Sequence, residues 1–166
     1  KAPAIRIDHG SFRDPAGYVF FFDGQTYRAL DAASFSLIQQ LAQEGILSDL
    51  SAKGHLINTR VIAPVDPIFK TLQSHLSRER HFLHHATVPV ISYPYEWTFS
   101  MLADAAQLQL LLQMYLIERG YSLKDASAFN VQFINCRPVF IDILSIEKPR
   151  RKDLWVAYGQ FCQMHL

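Results

Sequence analysis

The stretch Leu123-Lys-Asp-Ala-Ser-Ala-Phe-Asn-Val-Gln-Phe-Ile-Asn-Cys-Arg-Pro-Val-Phe-Ile-Asp142 decides how this chain is read. Asp125 and Asn130 stand five positions apart, and Asp142 follows seventeen positions after Asp125. Residues 131–134 and 139–143 are β-prone runs joined by the turn-like Asn135-Cys136-Arg137-Pro138, which predicts a hairpin. An acid, an amide and a second acid, the last two bracketing a hairpin, are the groups that phosphoryl transfer from a nucleotide requires. One carboxylate orients the attacking hydroxyl, while the amide and the other carboxylate hold Mg²⁺ against the phosphates. Each residue also has a plain structural use. Asp125 can cap a turn after Gly120, Asn130 can open a strand, and period-two alternation can turn Asp142 to solvent. The sharper reading of Asp142 rests on its setting between Val139-Phe140-Ile141 and Ile143-Leu144, where an unpaired carboxylate is costly.

Working outward, 166 residues with 49% hydrophobic content are enough for a core, in one domain or a two-lobed unit. A net charge of +1 gives no overall field toward nucleic acid or an anionic membrane, and neither is an expected partner. The two cysteines, Cys136 and Cys162, fit neither a disulfide framework nor a C-x-x-C site, and read as reduced thiols of a cytoplasmic protein. The first ten residues lack the apolar core of a signal peptide. The most apolar segment, residues 99–117, is interrupted by Ser100, Asp104, Gln107, Gln109 and Gln113. It falls short of the roughly 20 apolar residues a membrane span needs, and predicts a buried central helix.

The N-terminal third predicts a meander: a strand over 5–12, a turn at 13–17, a strand over 18–22, and a return strand over 25–30 after the hairpin signal Asp23-Gly24. Asp31 is the expected N-cap of a helix over 32–43, with Phe35, Ile38, Leu41 and Ala42 on one face and Gly45 as its stop. Residues 54–63 and 88–93 read as strands, 69–85 as helix or extended chain, and Tyr93-Pro94-Tyr95-Glu96-Trp97 as an extended aromatic connector. In that extended form Tyr95 and Trp97 share a side, as a base-stacking platform or as a lobe-to-lobe plug. His81, His84 and His85 share a helical spacing that suits a metal. Arg78 and Arg80 beside them oppose a cation, and a polar basic segment is the favoured reading. The expected fold is α+β: an antiparallel sheet with one helix, a long buried helix, and a hairpin that carries the site.

This order of elements, with Asp125, Asn130 and Asp142, resembles the protein kinase-like fold, especially its aminoglycoside phosphotransferase branch. The resemblance implies a small lobe over 1–97 and an incomplete large lobe over 98–166. It also implies ATP and Mg²⁺ as cofactors and a small-molecule acceptor. Asp125 would be the catalytic carboxylate and Asn130 and Asp142 the metal ligands. Arg28 would replace the phosphate-facing Lys, with Glu44 as its nearest acidic helix partner. Ser127 stands where a loop His is common, and the hinge residues Glu96 and Trp97 would meet the nucleotide. The turn at Asp14-Pro15-Ala16-Gly17 lies in the place of the phosphate loop but has one glycine. Lys124 before the loop Asp and Ile143-Leu144 after Asp142 also depart from the pattern.

Ser11-Phe-Arg-Asp-Pro-Ala-Gly17, Ile91-Ser-Tyr-Pro-Tyr-Glu-Trp97, Leu123-Lys-Asp-Ala-Ser-Ala-Phe-Asn130, Phe140-Ile-Asp-Ile-Leu-Ser145 and Trp155-Val-Ala-Tyr-Gly-Gln-Phe-Cys162 carry a second resemblance. It is to the N-terminal region of bacterial proteins labelled nodulation-related or class I SAM-dependent methyltransferase-like. No two of the seven glycines lie close enough for a SAM-binding loop, so SAM is not expected in this chain. The resemblance implies a methyltransferase domain downstream as a partner, with this chain as either a kinase-like enzyme or a non-catalytic accessory domain.

Overall fold

A computed structural model describes residues 5–8, 10–11, 16–76, 80–151 and 154–166, in two compact units. The first comprises Lys1–Asp49 and Asn58–Thr87, the second Leu50–Ile57 and Val88–Leu166.

In the first unit, β1 (Arg6–Ile7), β2 (Gly17–Phe22), β3 (Gln25–Leu30), β4 (Thr59–Ile62) and β5 (His81–His85) form a five-stranded sheet. Its order is β1-β2-β3-β5-β4, and every pairing is antiparallel. Asp23 (φ 49°) and Gly24 (φ 71°) make the two-residue turn between β2 and β3, the left-handed pair that matches strand twist. Alternation then sends Phe20, Phe22, Tyr27, Ala29, Ile62 and Phe82 into one core with Leu72. Phe20 stacks on Tyr27 at 5.6 Å and meets the edge of Phe82 at 6.2 Å. Such pairs add about 0.5–1.5 kcal/mol each beyond their buried area. Leu72 belongs to α3 (Pro67–Ser74), whose N-cap Asp66 accepts the Ile68 amide.

The other sheet face holds Arg28, Leu83 and His85, with His81 stacked on Phe35 at 4.0 Å. Phe35 lies on α1 (Ala32–Gln43), which begins where Asp31 Oδ1 accepts the Ser34 amide at 2.8 Å. That bond holds the Asp31 carboxyl below its ordinary value. Gly45, at φ 74°, stops the helix. A further helix, α2 (Ile46–Ala52), follows directly.

In the second unit, α4 (Phe99–Ile117) starts where Thr98 Oγ1 accepts the Met101 amide, and Gly120 at φ 81° follows its end. The hairpin is β7 (Val131–Ile134) with β8 (Arg137–Phe140), and β6 (Ser122–Leu123) pairs with β9 (Ile146–Glu147). Helix α5 (Tyr158–His165) closes the described chain. Residues 55–57 join this unit by backbone: Ile57 N–H donates to Phe140 O at 2.9 Å, and Phe140 N–H to His55 O at 3.0 Å. No helix among the described residues is long and apolar enough to cross a membrane.

The structure corrects several expectations. Residues 88–93 form no strand, because Pro89 lacks an amide donor and Val90 and Ile91 are exposed. The strand is His81–His85 instead, so His84 faces opposite to His81 and His85 and the trio shares no face. Residues 54–63 contribute only Thr59–Ile62 as strand. The connector is not extended throughout: Pro94–Glu96 forms a 3₁₀ turn, with Pro94 at its first position, where its missing N–H costs nothing. Tyr95 stacks on Tyr93 at 5.4 Å, and Trp97 packs elsewhere. The hairpin turn is Asn135-Cys136 alone, at φ 50° and 60°, and β8 ends before Asp142. Helix α4 buries Leu108, Leu112 and Leu116 but exposes Leu110, Leu111, Met114 and Ile117, so only one side is core. Three helices, not one, accompany the strands that precede residue 97.

Candidate functional site

The second unit gathers Asp125, Asn130 and Asp142 by local rules. After β6 the chain turns twice through side chains. Asp125 Oδ1 accepts the Ser127 amide at 2.9 Å, and Ser127 Oγ accepts the Phe129 amide at 3.3 Å. Residues Ala128–Asn130 make a 3₁₀ turn that delivers Asn130 to the start of β7. Asp125 and Ser127 therefore do the loop-capping work of the plain alternative, whatever else they do.

Glutamines brace this loop from two helices. Gln109 Nε2 of α4 donates to Ser127 O at 2.7 Å, and Gln160 Oε1 of α5 accepts the Ala126 amide at 2.8 Å. Gln109 Oε1 meets His165 Nε2 at 2.9 Å. Burial holds the His165 ring below its ordinary value, which favours the neutral form here. Trp155 Nε1 donates to Leu123 O at 2.9 Å, and Ala126 packs with Ala157 and Phe161.

Asp142 lies just past β8 and heads the 3₁₀ turn Ile143–Ser145. That turn folds Ser145 back on it: Ser145 N–H donates to Asp142 O at 3.0 Å and Ser145 Oγ to Asp142 Oδ2 at 2.6 Å. Asn130 Nδ2 donates to the same hydroxyl at 3.2 Å. The hairpin holds the other side, with Ile141 N–H donating to Asn130 O at 2.8 Å. The two residues assigned to the metal are thus joined through one buried serine hydroxyl.

A carboxylate and a carboxamide offer hard oxygen donors, which suit Mg²⁺ rather than a soft metal. Among the described residues no cluster of three or more His, Cys, Asp or Glu could hold a metal. One or two protein oxygens, completed by water and phosphate, is the ordinary Mg²⁺ arrangement, so the donor set fits that ion.

The other predicted residues have defined places. Arg28 is buried on the sheet of the first unit, not on a solvent face. Glu44 caps the end of α1 and accepts Gln40 Nε2 at 2.8 Å. Glu96 Oε2 accepts the Tyr93 amide at 2.8 Å, and so shapes the connector. Trp97 Nε1 donates to Ser92 Oγ at 2.9 Å and its ring meets Phe133 edge-on at 5.0 Å, so the side chain is packed within the second unit. Gln132, buried in β7, holds both the amide and the carbonyl of Ser92 at 2.9 Å. Residues 13–15 of the predicted turn, residues 9 and 12 of the strand predicted before it, and Arg78 lie outside the described residues. The cysteines form no disulfide.

Sequence reasoning missed Ser145, Gln132, Gln160 and the bracing role of Gln109. A signal existed for one of them. Gln109 and Gln113 recur one turn apart in an apolar helix, the mark of buried amides that serve a neighbouring loop.

Among known proteins, the nodulation protein NoeA of Rhizobium meliloti (strain 1021) is 39% identical to this chain over 157 residues. The match covers 95% of the chain but 32% of NoeA, so the chain spans about a third of that relative's length. No family model matches the chain.

Proposed function

We propose that this chain is a protein kinase-like domain that binds a Mg²⁺-nucleotide and passes a phosphoryl group to a small-molecule hydroxyl. One observation carries the reading. Asn130 and Asp142, twelve positions apart in sequence, converge on the single hydroxyl of Ser145 at the base of a hairpin, directly after the Asp125 loop. The five-stranded antiparallel sheet, with α1 following β3, resembles what a kinase-like small lobe would need and supports the reading. In this reading Asn130 and Asp142 supply oxygens to the cation, and Asp125 orients the acceptor hydroxyl. The bound cation would neutralise phosphate charge. The backbone at Glu96 and Trp97 is assigned to the base, since both of these side chains already have local partners. A cytoplasmic setting belongs to the same reading.

The test is a thermal melt with ATP and MgCl₂. A ligand at 100 times its Kd stabilises a protein by about 2.7 kcal/mol, a shift easily seen. The expected result is a shift in wild type that Asp142→Ala abolishes. No shift at millimolar nucleotide, or an equal shift in the variant, removes the metal site.

A second reading is favoured by the length of the relative. The chain would be a non-catalytic accessory domain of a longer protein, beside a downstream SAM-dependent methyltransferase domain, with no SAM bound in this part. It expects Asp125→Ala to leave the longer protein fully active, while deletion of the whole domain abolishes activity or assembly. Loss of activity in Asp125→Ala sinks it.

A further inference from the structure

We propose that Ser145 is the positioning residue of the cation site, setting both the carboxylate rotamer of Asp142 and the flip of the Asn130 amide. The inference rests on the Mg²⁺ reading above and adds to it a residue that no spacing argument selects.

Proton bookkeeping carries the argument. Ser145 is 1% exposed, so its hydroxyl must find its partners inside the protein. A hydroxyl has one proton to give. The Ser145 hydroxyl donates to Asp142 Oδ2 at 2.6 Å, so its proton points there. The Asn130 group 3.2 Å from the serine oxygen must then be the donating NH₂. That choice commits the amide nitrogen to Ser145 and reserves Oδ1, the one atom of an amide that binds a cation. With alanine at 145 nothing on that side tells the two ends of the Asn130 amide apart, and half of its orientations offer NH₂ to the ion.

The serine is itself held from both directions. Its N–H donates to Asp142 O at 3.0 Å, and its carbonyl accepts the Lys124 amide at 2.8 Å. It therefore links the turn after β8 to the start of the Asp125 loop. Groups that orient metal ligands in this way typically change metal affinity by roughly 10- to 100-fold when removed.

The experiment follows free Mn²⁺ by electron paramagnetic resonance during titration of wild type, Ser145→Ala and Ser145→Cys, with ATP present. Metal-free ATP binding is measured in parallel. The Cys variant keeps the volume of this buried position with a weaker donor, and carries the comparison alone if the Ala variant does not fold. The expected result is a loss of Mn²⁺ affinity of roughly 10-fold or more in Ser145→Ala. A smaller loss is expected in Ser145→Cys, and metal-free ATP binding should be unchanged. Wild-type Mn²⁺ affinity in both folded variants overturns the role of Ser145 and leaves the metal site standing. Equal weakening of metal-free ATP binding also overturns it, because the serine would then be a general structural support. Absence of Mn²⁺ binding by wild type brings down the underlying reading, and this inference with it.

Discussion

The side chain of Gln160 closes on the backbone amide of Ala126 at 2.8 Å, across 34 positions of chain. Helix α5 thereby fixes the loop that carries Asp125. Replacing Gln160 by Leu leaves a part-buried amide without its acceptor, at a cost of about 1–3 kcal/mol. Urea denaturation is expected to show that loss. A variant as stable as wild type would show that α5 does not hold the loop.

Gln132 imitates a strand toward Ser92, accepting its N–H and donating to its carbonyl. Gln132→Leu removes both bonds and frees the segment that seats Trp97. The expected outcome is a lower melting temperature and a red shift of tryptophan emission as the indole meets water. Adenosine is expected to leave wild-type emission unchanged, since Trp97 packs against Phe133. Strong quenching by adenosine would revive a stacking role.

Two glycines should respond to alanine with opposite sign. A Cβ at Gly17 would run into the Ala29 carbonyl and lie 2.8 Å from Leu30 Cδ2. Prying β2 from β3 should cost about 1–3 kcal/mol, as overpacking generally does. A Cβ at Gly159 meets nothing within 4 Å, and the residue sits in α5. Gly159→Ala should raise stability by up to about 1 kcal/mol. Calorimetry on the pair checks both; a stable Gly17→Ala would contradict the close strand approach.

His85 is 4% exposed, with Nδ1 2.9 Å from Thr59 Oγ1. Burial first, then the Arg28 and His84 charges, push its pKa down from 6.5 to about 3. In the unfolded chain the ring titrates near its ordinary value, so between these limits the unfolded state binds more protons and stability rises with pH. The contribution is full above pH 6.5 and is lost as pH falls toward 3. His84 and His165 are also shifted down and act in the same direction. The loss should reach a few kcal/mol, on the order set by 1.36 kcal/mol per unit. His85→Gln is expected to flatten stability against pH below 6.5. An unchanged slope would show that the ring is hydrated in the native state.

The legible parts of this sequence were those decided within a few residues. Asp31, Gly45 and Asp23-Gly24 act on their own neighbours, and the elements they bound appear where expected. Strand β5 was illegible because its stability comes from its place between β3 and β4. Three histidines are tolerated there by Phe35, Thr59 and Gln25 from distant segments. The same division holds at the candidate site. Spacing picked out Asp125, Asn130 and Asp142, whereas Ser145 acquires meaning only once a 3₁₀ turn folds it back onto Asp142.

Residues 50–57 have a practical consequence for anyone who dissects this molecule. They sit inside the stretch that builds the first unit, yet their backbone is stitched to Phe140 of the second. The units are interleaved along the chain, and no single cut yields two intact pieces. A fragment ending at residue 87 keeps 50–57 without their partner, and a fragment starting at 88 leaves the backbone of Phe140 as a raw edge. Limited proteolysis between 87 and 88 should therefore give a nicked protein whose halves co-elute under native conditions and part only in denaturant. Dissection that respects this architecture would transplant 50–57 with the second piece and bridge 49 to 58 in the first.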